Sequence, residues 1–226
     1  MYNTVMPLSA MDRSVRGTVL AAALAIVEEE GPAGLSVRRL AADAGTSTMS
    51  VYTHFGSIAA VVAAVIERGF MTLAEQLTAA GTSDDPLADI FTLALAYLEF
   101  ARQHPQLYAT MFQYTSTEWT PNRRQSPVEA GSPTTSTAGT AAFSTFSSML
   151  GRLTNDNKET GFGLAVLGAQ CWSAVHGVAM LRLVGHLGDD DVAQSLLIAL
   201  AVGNGADRAA AQRAFTKATK RHIDHA

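Results

Sequence analysis

The chain has 226 residues, of which 48% are hydrophobic and 16% charged, and a formal net charge of −4. That length suits a small domain followed by a larger one, and so apolar a balance suggests surface that a second subunit buries. The lack of a basic excess argues against a general polyanion binder, so nucleic acid would have to be met by a local arrangement of residues. A single cysteine, Cys171, allows no internal disulfide, and the N-terminal stretch MYNTVMPLSA has neither the basic start nor the apolar core of a secretory signal. Both features point to a reducing cytoplasm.

Residues 1–10 read as a flexible arm. Asp12 is an N-cap candidate for a first helix, whose apolar positions Val15, Val19, Ala22, Ala23 and Ile26 recur at helical spacing until Gly31-Pro32. Ser36 caps a short segment, VRRLAADA, ended by Gly45, and Thr46 or Ser47 caps a second that reaches Phe55. Gly56-Ser57 precedes a long amphipathic helix from Ile58 to about Ala80, expected to connect two domains. Asp85-Pro86 opens a helix that runs to Gln103, and after His104-Pro105 a continuation covers Gln106 to Tyr114. Between Thr115 and Thr140 the composition shifts to Ser, Thr, Pro and Gly, which predicts a mobile loop. Three or four more helices are expected near 141–154, 158–187, 190–203 and 206–223, separated by Asn/Asp clusters and Asn204-Gly205.

No strand pattern interrupts this series, so the expectation is an all-α chain. It divides into a helix-turn-helix domain over 11–56, a connecting helix over 57–82, and a helical-bundle ligand-binding and dimerisation domain over 83–226. Gly161 to Leu181 lacks Asp, Glu, Lys and Arg, yet it contains Gln170, His176 and four glycines. A buried interface helix fits it better than a membrane span.

Within Val37 to Phe55, Leu40, Ala41 and Ala44 share one side of the first short helix, and Val51 and Phe55 lie on the second. Small Ala41 permits close helix approach, and Gly45 accepts the positive φ of a tight turn. Ser47, Thr48, Met49, Ser50, Tyr52 and His54 remain exposed on the second helix, a tip suited to the major groove. The alternative is a plain three-helix packing unit with Tyr52 and Phe55 in its core.

A helix, then LSVRRLAADAGTSTMSVYTHF, then a long helix resembles the TetR family of regulators over about residues 13 to 70. The resemblance implies a dimeric repressor in which Arg38 reaches a base edge and Thr48 and Met49 contact bases. It also implies that Ser50, Tyr52 and His54 contact phosphates or adjacent bases; Ser36, Arg39 and Ser47 complete the candidate DNA face. The side-chain chemistry agrees: arginine pairs bidentately with guanine, methionine meets a thymine methyl, and hydroxyls donate to phosphates. One departure is Ile58, where many family members carry a lysine. Without that cation, affinity leans on dimerisation, helix-terminus amides and a few arginines.

Residues 96 to 112, AYLEFARQHPQLYATMF, and 171 to 181, CWSAVHGVAML, resemble the C-terminal ligand domain of a TetR subgroup with a Trp-His-Gly signature, here Trp172, His176 and Gly177. Trp172, His176 and Met180 fall on one helix face. With Tyr97, Phe100, His104, Tyr108, Met111 and Phe112 they are the candidate ligand-binding residues, plain core packing being the alternative. No paired Cys or His spacing supports a metal site, and no cofactor is expected. The Gly- and Ala-rich helices over 158–187 and 190–203 suit a four-helix homodimer interface.

A twofold dimer implies a near-palindromic double-stranded operator with half-sites about 34–36 Å apart. A small-molecule effector is then expected to shift the population, tilting the connecting helix and releasing DNA. An all-helical enzyme and a helical interaction module are the rival classes. The chain shows no Asp-rich metal motif, nucleophile elbow, phosphate loop or paired carboxylates, and an enzyme is not expected.

Overall fold

The computed structural model describes residues 14–113, 137–156, 164–188 and 190–225. The expected arm over 1–10, Asp12 and most of the loop expected over 115–140 lie outside these residues. The described residues form ten α-helices and no strand: α1 Val15–Glu30, α2 Val37–Asp43, α3 Thr48–Phe55, α4 Ile58–Ala79, α5 Pro86–Gln103, α6 Pro105–Gln113, α7 Thr137–Asp156, α8 Leu164–Leu183, α9 Asp190–Gly203 and α10 Arg208–His225. A 3-10 turn, Pro32–Gly34, separates α1 from α2.

Most boundaries follow local chemistry. Ser14 caps α1, its hydroxyl accepting from Gly17 N at 3.2 Å. Asp85 caps α5 by accepting from Ala88 N at 3.0 Å, with Pro86 in the first helical position. α7 starts at Thr137, inside the expected loop. Ala138 and Ala142 are buried there, and this packing overrides the weak helix propensity of Thr, Ser and Gly.

The chain forms two compact units. One takes the described residues of Met1–Gly69 and His104–Trp119; the other takes those of Phe70–Gln103 and Thr120–Ala226. Both are discontinuous in sequence.

In the first unit α1 packs on α2, α3 and α6. Its core combines Val19, Ala23 and Val27 with Leu40, Val51, Leu107 and Tyr108, all buried. Fully burying each large apolar side chain contributes about 1.5–3 kcal/mol. Gly69 brings α4 against α6 so closely that a Cβ there would lie 2.7 Å from Met111 Sδ.

The second unit is built around α5, which contacts α7, α8 and α10. Ile90, Phe91, Leu93, Ala94, Tyr97, Leu98 and Phe100 are buried, so α5 is apolar nearly all round, as a central helix must be. Its one charged residue with no exposure is Asp89. That carboxylate accepts from Ser83 N, from Ser83 Oγ at 2.7 Å, from Arg152 Nη1 at 2.7 Å and from Arg221 Nη1 at 2.6 Å. Arg152 and Arg221 also donate to Ser83 O and Ala80 O. One buried acid thus ties the segment after α4 to α5, α7 and α10.

Candidate DNA interface and ligand cavity

The helix-turn-helix is assembled by three local devices. Ser36 Oγ accepts from Arg39 N at 3.3 Å and starts α2. Gly45 takes φ +61° at the turn, where a side chain would be strained, and Thr46 N donates to Ala41 O at 2.8 Å. Ser47 Oγ accepts from Ser50 N at 3.1 Å and starts α3. Leu40 and Ala41 of α2 and Val51 of α3 are buried between the helices.

α3 leaves most of the expected residues outside and also Thr53, which is not among them. Ser47, Thr48, Met49, Tyr52 and His54 are exposed, and Ser50 is half-buried. Met49 is 72% exposed and Tyr52 52%, so Tyr52 is not a core residue. Phe55 is half-buried beneath the Arg16 guanidinium, 4.8 Å from its ring centroid, a contact the sequence reading missed. Ser36 caps with oxygen lone pairs and keeps its hydroxyl hydrogen to donate, whereas the Ser47 hydroxyl also shares a hydrogen bond with Ser50 Oγ at 3.1 Å.

The two candidate arginines part company. Arg39 is held by Glu30 at 2.7 Å and Asp43 at 3.6 Å, bracing α1 against α2. Its hydrogen bond holds the Glu30 carboxyl below the usual range. Arg39 is therefore engaged with carboxylates of α1 and α2. Arg38 is exposed and makes no hydrogen bond or ion pair among the described residues. Ile58 is half-buried at the start of α4, where Ser57 Oγ accepts from Ala60 N at 3.1 Å.

The candidate ligand residues are distributed over both units. His104, Tyr108, Met111 and Phe112 belong to the first; Tyr97, Phe100, Trp172, His176 and Met180 belong to the second. His104 Nδ1 pairs with Glu28 Oε1 at 2.7 Å, anchoring α6 to α1. Tyr108 packs on Phe112, their ring centroids 4.9 Å apart. In α8, Trp172 and His176 do share a face: their rings stack at 4.7 Å with a 17° tilt. His176 Nδ1 lies 3.2 Å from Tyr97 Oη, and burial pushes its pKa down to about 4, so the ring is neutral at neutral pH.

None of these nine residues lines the apolar cavity of about 60 Å³ found in the second unit. Its walls come from α5 (Leu87, Ile90, Phe91, Ala94) and α7 (Phe146, Leu150, Leu153). Leu167 and Cys171 of α8, Leu197, Leu200 and Ala201 of α9, and Asn204 with Ala206 complete it. Burial raises the Cys171 thiol to about 11. Among the described residues no cluster of three His, Cys, Asp or Glu side chains is placed to hold a metal ion. No single described helix is long and apolar enough to cross a membrane.

Comparison with known proteins agrees with this geometry. Residues 19–65 match the profile of bacterial regulatory proteins, tetR family, and residues 90–202 match that of a tetracyclin repressor-like C-terminal domain. The second description is general and does not specify a Trp-His-Gly subgroup. An uncharacterized HTH-type transcriptional regulator of Mycobacterium tuberculosis is 24% identical over 194 residues, covering 83% of this chain and 80% of that protein. A Rhodococcus protein of unknown function is 26% identical with a TM-score of 0.68, covering 91% of this chain and 100% of that one. The solved structure of RolR in complex with resorcinol shares the fold at 14% identity and a TM-score of 0.61, covering 89% and 93% of the two chains. With one profile matching the helix-turn-helix and the other spanning half of the sequence, the chain belongs to the tetR family of bacterial regulatory proteins.

Proposed function

We propose that the protein is a homodimeric transcriptional repressor that reads a near-palindromic operator through α3 and leaves it when a small molecule binds the second unit. The observation that carries this reading is the exposed tip of α3, with Thr48, Met49 and Tyr52 outward, beside the uncommitted guanidinium of Arg38. Arg38 supplies bidentate base recognition, Thr48 and Met49 read base edges, and Ser36, Ser47, Ser50, Tyr52 and His54 position the motif on phosphates.

Dimerisation through α8 and α9 is supported by apolar side chains that a lone subunit leaves exposed. These are Leu164, Val166 and Leu181 on α8, Val192 and Leu196 on α9, and Val184 just beyond α8. Such a face belongs at a subunit interface. Ligand binding has a parallel in RolR, which is seen with resorcinol bound. The compartment this reading implies is the cytoplasm. Catalysis is not part of it: Cys171 is buried and its thiol raised, the opposite of an activated nucleophile.

The test is binding to genomic DNA fragments at several salt concentrations, with footprinting of the selected site. Arg38→Ala is expected to weaken the specific complex by roughly 5- to 150-fold, the 1–3 kcal/mol of one bidentate base contact, while leaving the fold intact. A Thr48→Ala, Tyr52→Ala double variant should bind selectively no longer. Failure of the folded wild-type protein to select any sequence refutes the reading.

A further inference from the structure

We infer that the cavity lined by α5, α7, α8 and α9 is a binding site for an uncharged, mainly hydrocarbon molecule carrying one hydroxyl or N–H donor, held at its polar end by Asn204. The argument begins with the wall. Leu, Ile, Phe and Ala side chains make up nearly all of it, and no Asp, Glu, Lys, Arg or His contributes. A charged ligand entering there would exchange its hydration for apolar contacts with no counter-charge, so the site selects against ions.

Asn204 fixes the polar end. Its Nδ2 already donates to Leu200 O at 2.9 Å, which leaves the side-chain oxygen as the acceptor the residue still offers. No hydrogen bond to that oxygen occurs among the described residues. A donor on the ligand completes it. The second polar contributor, Cys171, has a desolvated thiol that acts as a soft apolar contact.

Size narrows the class further. At about 60 Å³ the space is well below the roughly 150 Å³ of an apolar cavity that holds benzene, so a single ring or short chain fits only as the wall gives way. A molecule that must spread α5, α7, α8 and α9 distinguishes two conformations, which is what an effector needs. The effector role rests on the repressor reading above; occupancy does not, and it is measured without DNA.

Phenol, toluene, benzoate and benzylammonium serve as probes, titrated into the full-length protein by isothermal calorimetry and ligand-observed NMR. Phenol should bind several-fold more tightly than toluene, and both charged probes at least tenfold more weakly. Asn204→Ala should erase the advantage of phenol over toluene. Ala201→Val, which fills the cavity from α9, should abolish binding of both.

Should Ala201→Val fail to fold, the wild-type protein provides its own reporter. Phenol should slow modification of Cys171, the chain's single thiol, by the small neutral reagent methyl methanethiosulfonate. Equal binding of charged and neutral probes overturns the inference, as does unaltered Cys171 reactivity at saturating phenol or the absence of any phenol or toluene binding. Binding in the predicted order without a change in operator affinity supports the site and refutes ligand-controlled repression.

Discussion

Replacing Asp89 by alanine gives the sharpest stability test the second unit offers. The carboxylate has no solvent exposure and accepts from the Ser83 amide and hydroxyl and from two guanidinium groups. Removing one partner of a buried ion pair costs about 3–5 kcal/mol, largely through the charge left behind. Here the stranded groups recover some water, because the Arg152 and Arg221 side chains are 39% and 21% exposed. The lower end, about 3 kcal/mol, is therefore expected. For a chain of this size each kcal/mol moves the midpoint by about 2–4 °C, so Tm should fall by about 6–12 °C. Urea and thermal unfolding followed by circular dichroism, at fixed protein concentration, measure both quantities. A loss below about 1 kcal/mol would show that the cluster behaves like an exposed surface network and refute the reasoning.

Acidification gives an independent reading of the same group. Burial pushes the Asp89 carboxyl upward, but the Ser83 amide and hydroxyl with both arginines outweigh it and hold the group below the ordinary range. The folded pKa thus lies beneath the unfolded value of about 3.9, so the stabilisation is complete above that value and is lost as pH falls through the folded pKa. Wild-type protein should lose this increment below about pH 4, and the alanine variant should lack that component of the acid transition.

His176 has the opposite proton bookkeeping. Its pKa falls from 6.5 to about 4 in the fold, so the unfolded chain binds the proton first and stability should decline as pH drops through that window. Subtracting the urea midpoints of His176→Gln from those of wild type at pH 7 and pH 5 isolates this effect; a difference independent of pH would refute it. Gly45→Ala places a side chain at φ +61° and should cost about 1–2 kcal/mol, measured by urea unfolding, while weakening operator binding. Cys171, raised from 9.0 to about 11, should react with a thiolate-dependent disulfide reagent roughly 100-fold more slowly in native protein than in urea. Comparable rates would mean the wall is wet.

The helix-turn-helix was legible because its determinants are local. Ser36, Gly45 and Ser47 each act on backbone within three or four residues, and residue type announces such roles. The α8 face of Trp172 and His176 was legible for the same reason, since spacing of four stacks side chains on a helix. The cavity was not, because Leu150, Leu197 and Ala201 carry no mark that separates a wall from a core. Arg39 is a DNA-face candidate from its position beside Arg38, and its ion pair with Glu30, brought up from α1, has no local mark in the sequence. Asp89 is an acid within an apolar run, and nothing near it in sequence marks its role, because its arginine partners lie 63 and 132 residues away.

Those separations bear on how the protein is made. When Asp89 is added to the growing chain, Arg221, the partner that closes its cluster from α10, is 132 residues from being synthesised. At about 5–20 residues per second, that interval is on the order of ten seconds. During it α5 carries a long apolar surface and an acid whose ion pairs do not yet exist. The helix-turn-helix segment, by contrast, finds its caps and turn within a few residues. The nascent chain therefore passes through a state with a formed DNA-reading motif and an unclosed second unit, exposed to chaperones and proteases until α10 arrives.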